Sequence, residues 1–490
     1  MSTFEEMFPA PEFDETMPWG GDSRNDVDVN AQYRGYEQDA VFIVVCTFLV
    51  WIMVPGLAMF YAGLSRRKSA LTMLFQAFIV FGIITLQWML WGYSLTYAPD
   101  ASPFIGTEYY MGMRFVQAAP AGTLPDILFA LYQLMFCAVT TTILTGAMFE
   151  RGNIIASTIF AFAWATIVYS PIACWTWNAN GWLLNLGSLD YAGGGPVHIA
   201  SGCSALAYAL VLGKRKSSVE TGTFRTKPHN QTLVAMGTFF IWFGWFGFNA
   251  GSALNAGVRA YYAAFNTQAA AACGVLGWVT IDMIRNKGRF SFSGACEGAI
   301  AGLVGITPAA GYVQVFPAAL IGYLTAVVCA SIQNINEWIH IDEGMDVFKL
   351  HGVGGMVGSF LTGIFADYAV SNLDAGAGAA GAWNGNGVQV AYQLADIVSC
   401  ASYSFVVTLL LVLPLKYAPK FLSLRLTEEQ EVLGADGYHF HDETIGEWMD
   451  GTETPRSTMG YPQSVTPTAV PANSRRSSSE EEKKVTPEAV

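Results

Sequence analysis

Between residues 40 and 416 the chain returns repeatedly to long stretches that carry few or no charges. A helix needs about 20 apolar residues to cross the hydrocarbon core of a bilayer. The runs are 40–65, 69–99, 127–149, 152–189, 191–213, 228–258, 260–281, 298–336, 347–368 and 391–416. The 152–189 run holds one helix and an external loop. The 298–336 run is too long for one helix, and Thr307-Pro308-Ala309-Ala310-Gly311 divides it into two. The expectation is an all-α integral membrane protein with eleven transmembrane helices. Charged residues make up 13% of the chain and hydrophobic ones 52%, which excludes a disordered chain, a coiled coil and an ordinary soluble enzyme.

The formal net charge of −13 sits in two tails. Residues 1–38 hold nine acids and two bases, and residues 417–490 hold thirteen and seven. Residues 39–416 carry sixteen of each. An acidic balance argues against a nucleic-acid partner. An odd span count puts the termini on opposite sides, and Lys and Arg decide which is inside. Fourteen of the sixteen body bases fall on one face, among them Arg66, Arg67, Lys68, Arg151, Lys214, Arg215, Lys216, Arg285, Lys287 and Arg289. Only Arg114 and Arg259 fall on the other. The expected layout is an extracellular segment 1–38, a transmembrane domain 39–416, an ordered cytoplasmic region 417–450 and a disordered cytoplasmic tail 451–490.

The acidic N-terminus lacks a basic n-region, so the first run is expected to be retained as a helix and not cleaved as a signal peptide. The sequon Asn230-Gln231-Thr232 falls on the cytoplasmic face and is expected to stay unmodified. The eight cysteines lie in or against apolar stretches, with neither metal-ligand spacing nor a disulfide pattern. They read as packing residues, and neither metal nor cofactor is expected. Glycine is common, 50 residues, and clusters in the spans, where small residues let helices approach closely.

Of six histidines, His229, His340, His439 and His441 fall in loops or the tail and read as solvated surface. His198 and His351 fall inside the fifth and tenth spans. Spans one to five and six to ten form two sets of five, and an odd number inverts the second set relative to the first. The two histidines then occupy corresponding helices, and a pseudo-two-fold axis brings them together. An ionisable residue within the membrane marks function unless it is a satisfied packing residue. A neutral imidazole offers one donor and one acceptor, so a pair can line a path for a small polar solute and relay a proton. Without an anionic partner it is a poor site for a dehydrated metal cation.

Aromatics are the remaining signal. Trp175 and Trp177 end the fourth span, Phe136 lies in the third, and Trp242, Trp245 and Phe248 lie in the sixth. They read either as an interfacial belt or as a cage that holds a cation by its ring quadrupoles, at about 0.5–2 kcal/mol per contact.

Three segments together resemble the ammonium transporters of the Amt/Mep/Rh superfamily: Asp190-Tyr191-Ala192-Gly193-Gly194-Gly195-Pro196-Val197-His198, Trp245-Phe246-Gly247-Phe248-Asn249-Ala250-Gly251-Ser252 and His351-Gly352-Val353-Gly354-Gly355. The stretch Ala301-Gly302-Leu303-Val304-Gly305-Ile306-Thr307-Pro308-Ala309 is similar as well. The likeness covers roughly 40–435 and is greatest to fungal high-affinity permeases. It implies that Trp177 and Ser252 form an outer recruitment site for ammonium or methylammonium. It implies that Phe136 and Phe248 form a gate below, that His198 and His351 line the pore, and that Asp190 supports the site structurally. It also implies a homotrimer in the plasma membrane. Retention of His198 favours the high-affinity subtype, which includes signalling members. The motif 424–438 resembles a cytoplasmic coupling region of that family. Ser457, Ser477, Ser478 and Ser479 follow basic residues and are candidate sites for a regulatory kinase. Two other readings are an ammonium sensor with little flux and an electroneutral ammonia channel of Rh type. A membrane enzyme is disfavoured, because the spans carry no paired carboxylates, nucleophile elbow or phosphate loop.

Overall fold

The computed structural model describes residues 35–440, apart from 115, 117–119, 122–123, 225–226 and 377. Helices dominate. In chain order the main ones are α1 Glu37–Leu64, α2 Arg67–Tyr97, α3 Asp126–Met148, α4 Ile154–Leu186, α5 Gly194–Leu212, α6 Gln231–Gly251 and α7 Val258–Arg285. Then come α8 Phe292–Ile306, α9 Val315–Ser331, α10 over 348–365 and α11 Val388–Lys416. Among the described residues, eight helices are long and apolar enough to cross a membrane, α1 to α7 and α11; α8 and α9 are shorter and also apolar. One small antiparallel ribbon pairs Pro120–Ala121 with Leu124–Pro125. The protein is an all-helical membrane protein.

The predicted breaks fall where the polar and glycine residues stand. Regular helix in α4 ends at Trp177, and the short helix Trp182–Leu186 follows. The α8–α9 break spans 307–314. One boundary moves: the expected eighth run begins at 298, whereas α8 begins at Phe292, capped by Ser291, whose hydroxyl accepts from the Gly294 N–H at 3.0 Å. The run was cut short by Glu297, and the fold accommodates that charge inside the helix by pairing it with Lys349 at 3.1 Å.

Helices cross on small residues. A methyl group placed on Gly202 of α5 would lie 2.1 Å from the Gly352 backbone nitrogen of α10. At this crossing backbone touches backbone, and any side chain on Gly202 would push the two helices apart. Large apolar side chains such as Phe48, Phe78, Phe239, Val398 and Leu410 stay exposed on the outer face, as lipid-facing positions do.

Ionic groups gather at one end of the bundle. Arg215 is fully buried and grips Asp342 through Nη2 at 2.6 Å and Nε at 3.0 Å, with Glu150 at 3.4 Å. Glu150 also pairs with Arg66 at 2.7 Å. The stretch 424–436 lies on this end. Leu424 O accepts from Asn153 N at 3.1 Å, and Leu426 N donates to Arg151 O at 2.9 Å. Asp436 accepts from Thr72 N and the Thr72 hydroxyl, each at 2.7 Å. Thr427 and Gln430 close a capping box on the short helix Glu428–Leu433.

This docking changes the reading of one histidine. His439, expected at the surface, is half-buried, and burial pushes its imidazole down to about 4. His229 is also engaged, with Nδ1 2.8 Å from Ser65 O.

Candidate pore site

His198 reaches its place through an unusual helix start. Gly193 adopts φ +119°, a left-handed turn open to glycine, and the chain then enters a π-helical turn, Gly194–Ile199. The first amides of a helix lack intrahelical acceptors. Asp190 supplies them: Oδ1 accepts from Gly193 N and Gly194 N, and Oδ2 from Gly195 N, each at 2.7 Å. Its carboxylate is thereby committed to backbone. His351 lies in a second π turn, Phe348–Val353, at the start of α10. Such turns recur at functional sites.

The Gly202–Gly352 crossing brings the rings together. Their Nδ1 atoms are 3.1 Å apart and both rings are buried. Two Nδ1 atoms at that distance need one donor and one acceptor, so the pair shares a single bridging proton. The Nε2 of His198 has no hydrogen-bond partner among the described residues.

Aromatics continue the line. Trp245 stacks on His198 with centroids 5.3 Å apart, and its Nε1 donates to the Thr307 hydroxyl at 2.9 Å. Phe248, 6.3 Å from His198, stacks against Phe136 at 4.1 Å with 28° between planes. Phe136 meets Trp177 edge to face at 6.0 Å. Trp177 Nε1 donates to Asp190 O at 3.2 Å. Ser252 caps the C-terminus of α6. Its hydroxyl donates to Phe248 O at 2.8 Å, so the oxygen keeps lone pairs for an incoming donor. The negative pole of the α6 dipole lies at the same place and favours a cation.

Residues 41–445 match the family described as the Ammonium Transporter Family. The chain belongs to this family. It is 46% identical over 438 residues to ammonium transporter 1 of Schizosaccharomyces pombe, which covers 87% of this chain and 86% of that protein. It is also 46% identical over 438 residues to ammonium transporter MEP2 of Saccharomyces cerevisiae, with 87% of each covered. The crystal structure of Candida albicans Mep2 superposes with a TM-score of 0.77 at 46% identity, covering 80% of this chain and 87% of that one. The protein is therefore a multi-pass ammonium transporter and not an enzyme.

In this transporter the seven residues singled out in the sequence, Trp177, Ser252, Phe136, Phe248, His198, His351 and Asp190, fall in one neighbourhood. Ser457, Ser477, Ser478 and Ser479 lie outside the described residues. Among the described residues no group of three or more His, Cys, Asp or Glu side chains could hold a metal. Sequence reasoning missed Tyr132, whose hydroxyl bonds to Gly247 O and Phe248 O, both at 2.9 Å, and so ties down the backbone that carries Phe248. It also missed the role of Thr307 behind Trp245; hydroxyls within apolar spans were the available signal.

Proposed function

We propose that this transporter takes up ammonium across the plasma membrane by separating it into ammonia and a proton. Ammonium is recruited between the Trp177 face and the Ser252 oxygen, with the α6 dipole adding attraction. It gives up a proton on entering the narrow path, and the His198–His351 pair accepts it. Ammonia passes the Phe136–Phe248 stack and the His198–His351 pair, and the imidazoles hand the proton inward. The observation that carries this reading is the 3.1 Å contact between two buried imidazoles at the end of an unbroken aromatic column from Trp177.

The physics concerns selection. Ammonium and potassium are similar in size, so a hole cannot sort them. An apolar gate strips water, which penalises any ion. Ammonium can escape that penalty by giving up its proton, and potassium cannot. The membrane arrangement that goes with this reading has α1 to α11 as eleven spans, in two inverted sets of five and a final helix, with the N-terminus outside. It is supported by the basic end of the bundle, where Arg66 pairs with Glu150, Arg215 with Asp342, and the Arg151 carbonyl accepts from Leu426 of the 424–436 stretch. A homotrimer, and a kinase acting on the distal serines, complete the proposal.

The test is current recording on reconstituted protein, with His198→Ala and His351→Ala beside wild type. Wild type should carry ammonium and methylammonium current with negligible potassium current, and each substitution should abolish it or admit potassium. Equal potassium and ammonium currents in wild type would sink the selection argument. Ammonia flux without current would point to electroneutral passage, and substrate binding without flux to a sensor.

A further inference from the structure

Lys349 is a lysine in an apolar run, and the transport scheme gives it no task. It lies in the π turn Phe348–Val353, two residues before His351. Its side chain has no solvent exposure, and Nζ is 3.1 Å from Oε2 of Glu297 and 2.8 Å from Oδ2 of Asp346. The ammonium also stands 5.0 Å from the centroid of the Trp278 ring. The Lys349 carbonyl accepts from the Cys329 thiol at 3.3 Å. These partners come from α8, from the segment before α10, from α7 and from α9. One residue thus ties the start of α10 to three helices.

The tie is stiff for two reasons. A buried ammonium that loses its carboxylates bears an uncompensated desolvation cost, so the side chain cannot swing away. Asp346 is itself held at φ +56°, a left-handed position that a residue with a Cβ rarely adopts. The Lys349 pair and a 3.3 Å bond from the Asn336 amide hold it there. Downstream, the π turn is wider than an α turn, so the register of His351 depends on where the turn is anchored. On its far side α10 meets α5 backbone to backbone at Gly202 and Gly352, leaving no slack.

We propose that Lys349 is a positioning residue for His351: its ammonium, clamped between Glu297 and Asp346, holds the π turn of α10 in the register that keeps the His351 ring against His198. The inference rests on reading the His198–His351 pair as the rate- and selectivity-setting part of the pore. It predicts an effect on turnover and ion selection without an effect on recruitment, because Trp177 and Ser252 are untouched.

The test uses the full-length protein in proteoliposomes. Glu297→Gln leaves Asp346 to pair with Lys349 and is the variant least able to disturb folding. Lys349→Met combined with Glu297→Gln removes the clamp without stranding both carboxylates. Methylammonium uptake and the potassium-to-ammonium current ratio are read, with elution profile and thermal midpoint as folding controls. The expected result is a maximal rate lowered several-fold in Glu297→Gln and about tenfold or more in the double variant. KM should stay within twofold, and the potassium ratio should rise. A residue that merely stabilised the fold would lower the thermal midpoint and leave KM, turnover per folded protein and the current ratio alone. That outcome in both variants overturns the proposal, and if the double variant fails to fold, wild-type turnover and selectivity in Glu297→Gln overturn it alone. Failure of the underlying reading looks different: His351→Ala itself would then keep wild-type rate and selectivity.

Discussion

Gly202→Ala probes the proposed pore with the smallest possible change. The added methyl would lie 2.1 Å from Gly352 N and 2.4 Å from Gly352 Cα. Both are backbone atoms, so no side chain can rotate out of the way. Ordinary contact begins near 3.4 Å, so α5 and α10 must part by about 1.3 Å at the crossing. The crossing is next to His351 and about one turn from His198. If half of the opening reaches the rings, the 3.1 Å Nδ1–Nδ1 contact passes out of hydrogen-bond range. Overpacking of this kind costs about 1–3 kcal/mol, which a folded domain with about 5–15 kcal/mol in hand survives. Misplacing reactive groups by about 1 Å can lower a rate about a hundredfold. The expected outcome is a normally folded protein with uptake down by one to two orders of magnitude, on the scale of that same principle. The assay is labelled methylammonium uptake in cells lacking their own ammonium uptake, normalised to folded protein at the surface. Gly82→Ala is the control, since a methyl there meets nothing within 4 Å among the described residues. Uptake within twofold of wild type in Gly202→Ala would refute the reasoning, because the imidazole contact would then not limit passage.

Two further outcomes follow from the same geometry. Asp190→Ala strands three buried amides at a cost of about 1–3 kcal/mol each, so folded protein should fail to accumulate, whereas Asp190→Asn keeps the oxygen that serves Gly193 and Gly194 and should accumulate in part. Elution of the alanine variant as wild type on size-exclusion chromatography would contradict this. Glu343 lies outside the spans, where burial, with Asp346 adding to it, raises its carboxyl from 4.5 to about 7. The folded state therefore binds the proton more tightly. The stability this contributes is complete below about pH 4.5 and is lost as pH rises through about 7, to a total of about 3 kcal/mol. The thermal midpoint of wild type in detergent should fall between pH 5 and pH 8 relative to that of Glu343→Gln; parallel curves would rule the assignment out.

How much of this was visible in the chain depends on the range of the interaction. The spans were legible because apolar length is a local property, and their breaks were legible at Thr307-Pro308 and after Trp177. The start of α8 was misplaced by six residues because Glu297 looked like the end of a span, and its partner Lys349 lies 52 positions away. The two histidines are 153 residues apart, and counting spans in fives suggested their meeting. That counting fixed neither the ring contact nor the π turns that present it. A π turn leaves no composition signal: Gly194–Ile199 and Phe348–Val353 share only a histidine, glycine and valine. The docking of 424–436 was suggested by family likeness, but Asp436 on Thr72 is a contact between residues 364 apart that no local pattern encodes.

The distribution of charge fits the proposed scheme. A cation that must shed its proton to cross gains nothing from a fixed anion beside the narrow part of the path, because the anion would hold the charged form in place. Phe136, Phe248, Trp245, His198 and His351 supply no such anion, and the nearby carboxylate of Asp190 is occupied by three backbone amides. Ionised groups in the body are placed where they hold elements together: Arg215 on Asp342 and Glu150 at one end, and Lys349 on Glu297 and Asp346 at the base of α10. In the proposed scheme, charge fixes the walls and neutral rings select the solute. Selectivity should then respond to sub-ångström shifts in ring placement more than to neutralising any single carboxylate outside the α10 clamp.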